Sequence, residues 1–211
     1  MTGNSCPLCS GNSTHYHTFR QRVFLQCAFC LSVFTHPDHY LSPAEEQAHY
    51  ECHVNNPDDL RYQKFVSPIT NSILKDFSTT DKGLDFGSGT GSPIVKVLEY
   101  NGYDISQYDL YFHNDIEKLD QKYNYIACSE VAEHFKEPHK EFGLLRNVLL
   151  PDGKLYLMTE MFDENRDFES WYYKTDPTHV FLYHAKAFEW IKENFGFKNV
   201  IIDKRLITLE L

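Results

Sequence analysis

No stretch of this sequence approaches the ~20 consecutive apolar residues that a helix needs to span a bilayer, so a membrane-embedded protein is not expected. The opening residues, MTGNSCPLCSGN, lack the basic and apolar segments of a secretory leader, which points to a cytoplasmic protein. Positive charge is scarce: 20 Lys and Arg stand against 30 Asp and Glu, a net charge of −10. Nucleic-acid recognition needs clustered Lys and Arg over the phosphates. The balance argues against it while leaving room for a local basic patch. There is no internal repeat and no low-complexity tract. Cysteine is limited to six residues, and in a reducing compartment these are thiols or metal ligands more often than disulfides. What is plentiful is apolar and aromatic material, 42% and 15% of the chain, which suits a packed globular core.

The 211 residues allow one substantial domain plus a small module. Residues 1–42 hold four of the cysteines and close on HPDHYLSP. Residues 43–80 read as a helical linker or lid. Over 81–211 strand-like and helix-like runs alternate, the pattern of a doubly wound α/β sheet. GLDFG reads as its first strand, SPIVKVLEYNG as a helix ended by Gly102, YDISQYDL as the second strand, and YNYIACS as the fourth in the usual count. VAEHFKEPHKEFGLLRNVLL holds one or two helices broken near Pro138. Pro151, Asp152 and Gly153 form a turn into the strand KLYLMTE. AKAFEWIKENFGF reads as the last helix, and NVIIDKRLITLEL as two strands joined at Asp203, Lys204 and Arg205, a closing antiparallel hairpin.

Cys6-Pro-Leu-Cys9 and Cys27-Ala-Phe-Cys30 form two C-x2-C knuckles with seventeen residues between them. Two residues between thiolates let one tight turn aim both sulfurs at one ion, and two such turns complete a tetrahedron. Zn²⁺ is the expected metal. With four protein ligands the site is closed, so its role is structural, supplying folding energy to a segment too small to build a core alone. Only Arg20 and Arg22 stand against Asp38 in this ribbon, weak support for phosphate binding. Tyr16, Phe19, Phe24, Phe29, Phe34 and Tyr40 are expected to pack the ribbon onto the rest of the chain. Cys128 reads as a small core residue.

Asp85-Phe-Gly87-Ser-Gly89-Thr-Gly91 follows an apolar strand and opens a helix. Glycines there permit positive φ and close backbone approach to a ligand, and the helix N-terminus adds free N–H groups and partial positive charge. No Gly-Lys-Ser/Thr closes the loop, so a nucleoside-triphosphate loop is excluded. A dinucleotide fingerprint would place its last glycine or alanine where Ser92 stands. Asp109 ends the second strand twenty residues after Gly89, and a carboxylate there can accept two hydrogen bonds from ribose hydroxyls of a dinucleotide or of an adenosyl group.

Together LDFGSGTG, Asp109, CSEVAEHF, LLPDGKLYLMTE and the closing hairpin resemble the class I S-adenosylmethionine-dependent methyltransferases, over about residues 60–211. The resemblance implies a Rossmann-like doubly wound sheet with a C-terminal antiparallel hairpin. It implies that Asp85, Gly87, Ser88, Gly89 and Gly91 hold the methionine end of the cofactor, that Asp109 and Leu110 hold the nucleoside, and that Ser129 and Glu130 flank the methyl group, with Glu133 and His134 just beyond. The chain departs from the pattern at Asn124, where an acid is usual, and over Leu110–Lys122, where a third strand and its adenine-binding acid are hard to place. Asp115 is a candidate for that acid, the alternative being that Leu110, Tyr111 and Phe112 cover the adenine by packing.

Methyl transfer is an in-line displacement for which a protein chiefly aligns the acceptor and excludes water. A protonated acceptor needs a base, most often His near neutral pH. His134, four residues after Glu130, shares its face if a helix follows the strand directly. His179 lies in the aromatic loop WYYKTDPTHVFLYH, placed to shape a pocket. These two are the candidate catalytic residues. His49 and His53, also four apart, share one face of the lid, and Tyr50, His53, Tyr62 and Tyr183 are candidate substrate or lid residues. The expected function is methyl transfer from S-adenosylmethionine to a small molecule or sugar-like metabolite. Methylation of an rRNA or tRNA base, with the ribbon gripping RNA, and a non-catalytic cofactor-binding interaction module are the alternatives.

Overall fold

The structure is a computed structural model that describes residues 5–52 and 55–211. Three strands open it, β1 (Ser13–Phe19), β2 (Arg22–Cys27) and β3 (Val33–Thr35). Helices α1 (Pro43–Glu51) and α2 (Leu60–Asp76) follow. Then come β4 (Lys82–Phe86), α3 (Pro93–Tyr100), β5 (Asp104–Tyr108), β6 (Tyr123–Ser129), α4 (Pro138–Val148) and β7 (Leu149–Met158). The chain ends with the two-residue β8 (Phe181–Leu182), α5 (Ala185–Phe195), β9 (Asn199–Asp203) and β10 (Leu206–Glu210).

Six strands form the central sheet in the order β5-β4-β6-β7-β10-β9. β5, β4, β6 and β7 are parallel; β10 runs antiparallel to β7, and β9 pairs antiparallel with β10. This is the expected doubly wound sheet with its closing hairpin. Side chains alternate across it. Tyr125, Ala127, Tyr156 and Met158 pack with Val66, Ile69 and Ile73 of α2 and Ile94, Val95 and Leu98 of α3. Ile126, Cys128, Leu155 and Leu157 pack with Phe142 and Leu145 of α4 and Phe188 and Ile191 of α5. Burial on both faces explains why these strands read as near-continuous apolar runs, and Cys128 is the small core residue it was expected to be.

Several local expectations need correction. Leu149–Met158 is one strand. Pro151, Asp152 and Gly153 are not a turn before it but lie inside it, beside a register shift opposite Tyr123–Tyr125, with Asp152 at φ 62°. No helix starts directly after β6: Ala132–His134 is a single 3₁₀ turn, so Glu130 and His134 are not stacked on a helical face. Leu110–Lys122 supplies no strand, only a 3₁₀ turn at Ile116–Asp120 capped by Asp115, whose Oδ1 accepts the Glu117 N–H at 3.2 Å. Asn124 stands where an acid is usual and accepts the Lys82 N–H at 2.9 Å, a structural contact between neighbouring strands.

The cysteine-bearing strands are not a free-standing module. β8 pairs antiparallel with β3, extending their sheet to β1-β2-β3-β8. Phe34 stacks on Phe181 with centroids 6.0 Å apart, and Tyr16 and Phe24 pack edge-on against Phe168. Phe29 is the exception among the expected packing aromatics: it is 64% exposed. Arg22 fastens the join. Its guanidinium donates to the carbonyls of Lys174 (3.1 Å), Asp176 (2.8 Å) and His179 (2.9 Å) and to Thr35 Oγ1 (3.1 Å). One planar fork thus fixes four acceptors on two segments, which the single ammonium of a lysine does not match. Arg22→Ala is expected to lower the unfolding free energy by on the order of 2–4 kcal/mol in urea titrations, with Arg22→Lys recovering only part of it. An Arg22→Ala protein as stable as wild type would show that the fork is incidental.

Candidate functional site

The strand order reverses between β4 and β6, the switch point outside whose carboxyl ends ligands bind in open α/β sheets. A cavity of about 440 Å³ opens there. At the end of β4 the chain turns with Gly87 at φ +81° and Gly89 at φ +61°, and a Cβ on Gly87 would stand 2.4 Å from Val131 Cγ2. Asp109, at the end of β5, organises this loop. Its Oδ2 accepts the Gly89 N–H at 2.9 Å, and its Oδ1 accepts the N–H groups of Tyr111 (2.9 Å) and Phe112 (3.1 Å). Ser92 then caps α3, accepting from Ile94 and Val95.

Most of the residues singled out from the sequence meet at this cavity. Gly87, Ser88, Gly89, Asp109, Leu110, Ser129, Glu130, His134 and His179 line it, with Tyr50 and Tyr62 contributed by the helical segment. Asp85 lies just behind, on a small side cleft that shares Tyr62, Gly87, Ser88 and Ser129 with the main cavity. Gly91 lies where a Cβ would meet Asn55 O at 2.8 Å. Tyr183 is misplaced by the sequence reading: it is fully buried in the core, its hydroxyl donating to Ala132 O at 3.0 Å, and it does not reach the cavity. Asp115 is also away from it. His53 lies outside the described residues, and with it the proposed pairing of His49 and His53.

Polar side chains crowd the end of β6. Glu130 takes φ 53°, a strained conformation for a non-glycine residue, and such residues collect at ligand sites. Its carboxylate pairs with Arg205 from the hairpin turn, and Arg205 also reaches Glu160 at 3.2 Å. Glu133 is wholly buried. Its Oε1 accepts from the Tyr173 hydroxyl, which also contacts Thr159 Oγ1 at 3.2 Å. Burial, reinforced at Glu130 by the neighbouring acid, raises both carboxyls well above the usual carboxylate range. Glu130 Oε1, Glu133 Oε2, Ser88 Oγ and Ser129 Oγ are buried without hydrogen-bond partners. Buried polar atoms are normally paired, so each such orphan calls for a ligand or another explanation.

The two imidazoles lie with ring centroids 4.9 Å apart. His134 Nδ1 donates to Thr178 O at 3.0 Å, and His179 Nδ1 donates to Tyr173 O at 2.7 Å. A carbonyl only accepts, so each proton sits on Nδ1 and each Nε2 keeps its lone pair. Burial lowers the pKa of both rings, that of His179 to about 4. Asp176 stays ionised: burial opposes its charge, but hydrogen bonding from Thr178 and the nearby imidazoles of His179 and His49 outweigh that.

Helix α1 closes the cavity from the side. Glu46, 7% exposed, accepts from Lys136 Nζ at 2.8 Å and from the Tyr111 hydroxyl at 2.9 Å, while His49 Nε2 lies 3.3 Å from Asp176 Oδ2. Glu46, Lys136 and Arg205 were not legible as site residues, since none sits in a motif and each depends on long-range packing.

The four knuckle cysteines converge, their sulfurs all within 4.8 Å of one another. Cys6 Sγ lies 3.7 Å from Cys30 Sγ, and Cys9 Sγ lies 3.5 Å from Cys27 Sγ. The knuckles are near copies. Ser10 N bonds Cys6 O and Leu31 N bonds Cys27 O, and Ser10 and Leu31 both take φ near 60°.

A family model for a methyltransferase domain matches residues 59–201, and the chain belongs to that methyltransferase-domain family. No protein of curated function matches it. Among solved structures it is similar to a SAM dependent methyltransferase from Archaeoglobus fulgidus, at 15% identity and TM-score 0.56, covering 71% of this chain and 94% of that one. It is similar to phosphoethanolamine N-methyltransferase 2 of Haemonchus contortus in complex with S-adenosyl-L-methionine, at 14% identity and TM-score 0.56, covering 81% and 48%. It is also similar to an O-methyltransferase family protein from Burkholderia thailandensis, at 10% identity and TM-score 0.53, covering 78% and 61%. The chain thus spans about half to three fifths of the latter two proteins, and the likeness is one of fold.

Asp85 permits a test of this electrostatic picture. Burial, opposed by a hydrogen bond with Ser92, raises its carboxyl to about 7, whereas the unfolded chain ionises near 3.9. The folded state therefore holds the proton more tightly, and stability is lost as pH rises from about 4 to 7. Asp85→Asn removes this loss. Its stability relative to wild type is expected to improve by about 1–3 kcal/mol between pH 5 and pH 8 in urea unfolding. The same difference at both pH values would mean that Asp85 ionises normally.

Proposed function

We propose that the chain is an S-adenosylmethionine-dependent methyltransferase acting on a small molecule or sugar-like metabolite. The observation that carries this reading is one cavity running from the glycine loop and Asp109 to the two imidazoles. Its size falls in the range of small-molecule sites, roughly 300–1,000 Å³. The cofactor fits the residues present: the unpartnered hydroxyls of Ser88 and Ser129 suit its polar methionine end, and side-chain-free Gly87 and Gly89 leave room for close approach. Bound there, it supplies an activated methyl group on a sulfonium. Asp109 and Leu110 hold the nucleoside, Gly87, Ser88, Gly89 and Ser129 the methionine end with Asp85 and Gly91 supporting the loop, and Glu130 flanks the reacting end. His134 and His179 face the acceptor, with Tyr50 and Tyr62 shaping its entry. The amine and oxygen acceptors named for the similar structures leave the acceptor atom open to either.

The reading divides the chain into a ribbon (1–42), a helical lid (43–80) and a cofactor-binding domain (81–211), with the ribbon bracing the 174–182 segment. We assign the four cysteines a structural Zn²⁺. Sulfurs at about 2.3 Å from a shared ion stand about 3.8 Å apart in a tetrahedron, close to the observed 3.5 and 3.7 Å. Arg22 is turned inward onto backbone carbonyls, leaving Arg20 as the ribbon's exposed arginine. This supports the small-molecule reading over RNA methylation.

Calorimetric titration with S-adenosylmethionine tests the proposal, and absence of binding overturns it. Asp109→Ala is expected to weaken binding by about 1.5–3 kcal/mol. Unchanged affinity would place the ribose elsewhere. Chelation of zinc is expected to speed hydrogen exchange in residues 6–35 and 174–182 while β4, β6 and β7 stay protected. Equal loss of protection throughout would contradict the bracing role.

A further inference from the structure

We propose that Glu133, His134 and His179 form a binding site for a divalent first-row transition cation at the acceptor end of the cavity. One carboxylate oxygen of Glu133 and one nitrogen of each ring lie within 4.8 Å of one another. Donors that share a cation at about 2.0–2.2 Å stand at most about 4.4 Å apart, so the set is near coordination distance. Glu133 Oε2 is fully buried and makes no hydrogen bond, a costly state for a carboxylate oxygen without a partner. A cation supplies one.

The ring nitrogens are prepared in the same sense. Both Nδ1–H groups are spent on backbone carbonyls, the arrangement that fixes ring orientation in metal-ligating histidines and leaves Nε2 as the ligand atom. The Tyr173 hydroxyl holds the other Glu133 oxygen, and Tyr173 O holds the His179 ring, so one residue orients two of the three donors. Two imidazoles and one carboxylate suit Mn²⁺, Fe²⁺, Co²⁺, Ni²⁺ or Zn²⁺ better than Mg²⁺ or Ca²⁺, which favour oxygen.

Three protein ligands leave coordination positions open, and because His134 and His179 line the cavity, one of those positions is available to an acceptor hydroxyl. On coordination its O–H bond breaks, the electron pair stays on oxygen, and the proton leaves to solvent, because the cation lowers the hydroxyl's pKa. This consequence rests on the methyltransferase reading; cation binding itself does not.

The test is titration of the untagged, zinc-loaded full chain with Mn²⁺, followed by the electron paramagnetic resonance signal of free Mn²⁺. Mn²⁺ has little preference for the thiolate site. One Mn²⁺ per chain is expected, bound at least about tenfold more weakly by Glu133→Gln and by His179→Ala. A rise in melting temperature with Mn²⁺ is expected in wild type and not in the variants. Should Glu133→Gln fail to fold, the comparison rests on His134→Ala and His179→Ala, judged folded by circular dichroism. No Mn²⁺ bound by wild type, or binding unchanged in the folded variants, overturns the proposal. S-adenosylmethionine affinity, measured on the same preparation without Mn²⁺, reports separately on the methyltransferase reading.

Discussion

The backbone of residues 174–182 is held from two directions, and the cavity depends on it. From the ribbon side, β3 pairs with Phe181–Leu182 and Arg22 grips three carbonyls of the segment. From the sheet side, Val180 N donates to Glu133 O, and Thr178 O accepts from His134. The segment has little regular secondary structure of its own, so its shape is set by these external bonds. Because His179 and Asp176 sit on it, the geometry beside the end of β6 is controlled partly by strands more than 130 residues earlier in the chain. A small sheet that carries the four clustered cysteines, far from the glycine loop in sequence, thereby supports the segment that contributes Asp176 and His179 to the cavity wall.

What was legible in the sequence follows from how local each signal is. The glycine loop, the knuckle cysteines and the alternation of strands and helices are short-range patterns, and they placed the central sheet, its closing hairpin and the Gly87–Gly89 turn. Asp109 was legible by position, but not that its carboxylate receives three backbone N–H groups. Tyr183 misled because it stands in an aromatic loop beside His179. Directly after strand β8 its side chain turns into the core, which composition does not reveal. Glu46 and Arg205 were invisible for the opposite reason. Each is an ordinary charged residue in a polar stretch, and only packing brings Glu46 against Tyr111 and Lys136, and Arg205 against Glu130. The long strand through Pro151–Gly153 was missed because turn-forming residues there accommodate a register shift in place of a reversal.

Burial of Glu133 links fold to chemistry. A carboxylate with no water around it is stable only if protonated, hydrogen-bonded or paired. Tyr173 satisfies one oxygen, and the carboxyl's raised pKa meets part of the remaining cost. Such a group contributes little to folding that an apolar side chain of similar volume would not contribute better. Its placement beside two neutral imidazoles, at the carboxyl end of a central strand, is what a site requires and a core does not.

The charge on the cavity wall bears on which ligands can enter it. Asp109, Glu130, Glu137, Glu141 and Asp176 line it together with Glu46, and the single lysine among the described lining residues, Lys136, is engaged by Glu46 and by Leu41 O. A ligand carrying two or three phosphate charges would meet repulsion without a free cation to offset it, whereas a sulfonium or ammonium would be drawn in. The glycine loop by itself is compatible with either kind of nucleotide. The acids placed around it by β5, β6, α1 and α4 favour the cationic one, and they do so through the same excess of Asp and Glu that sets the net charge of the whole chain.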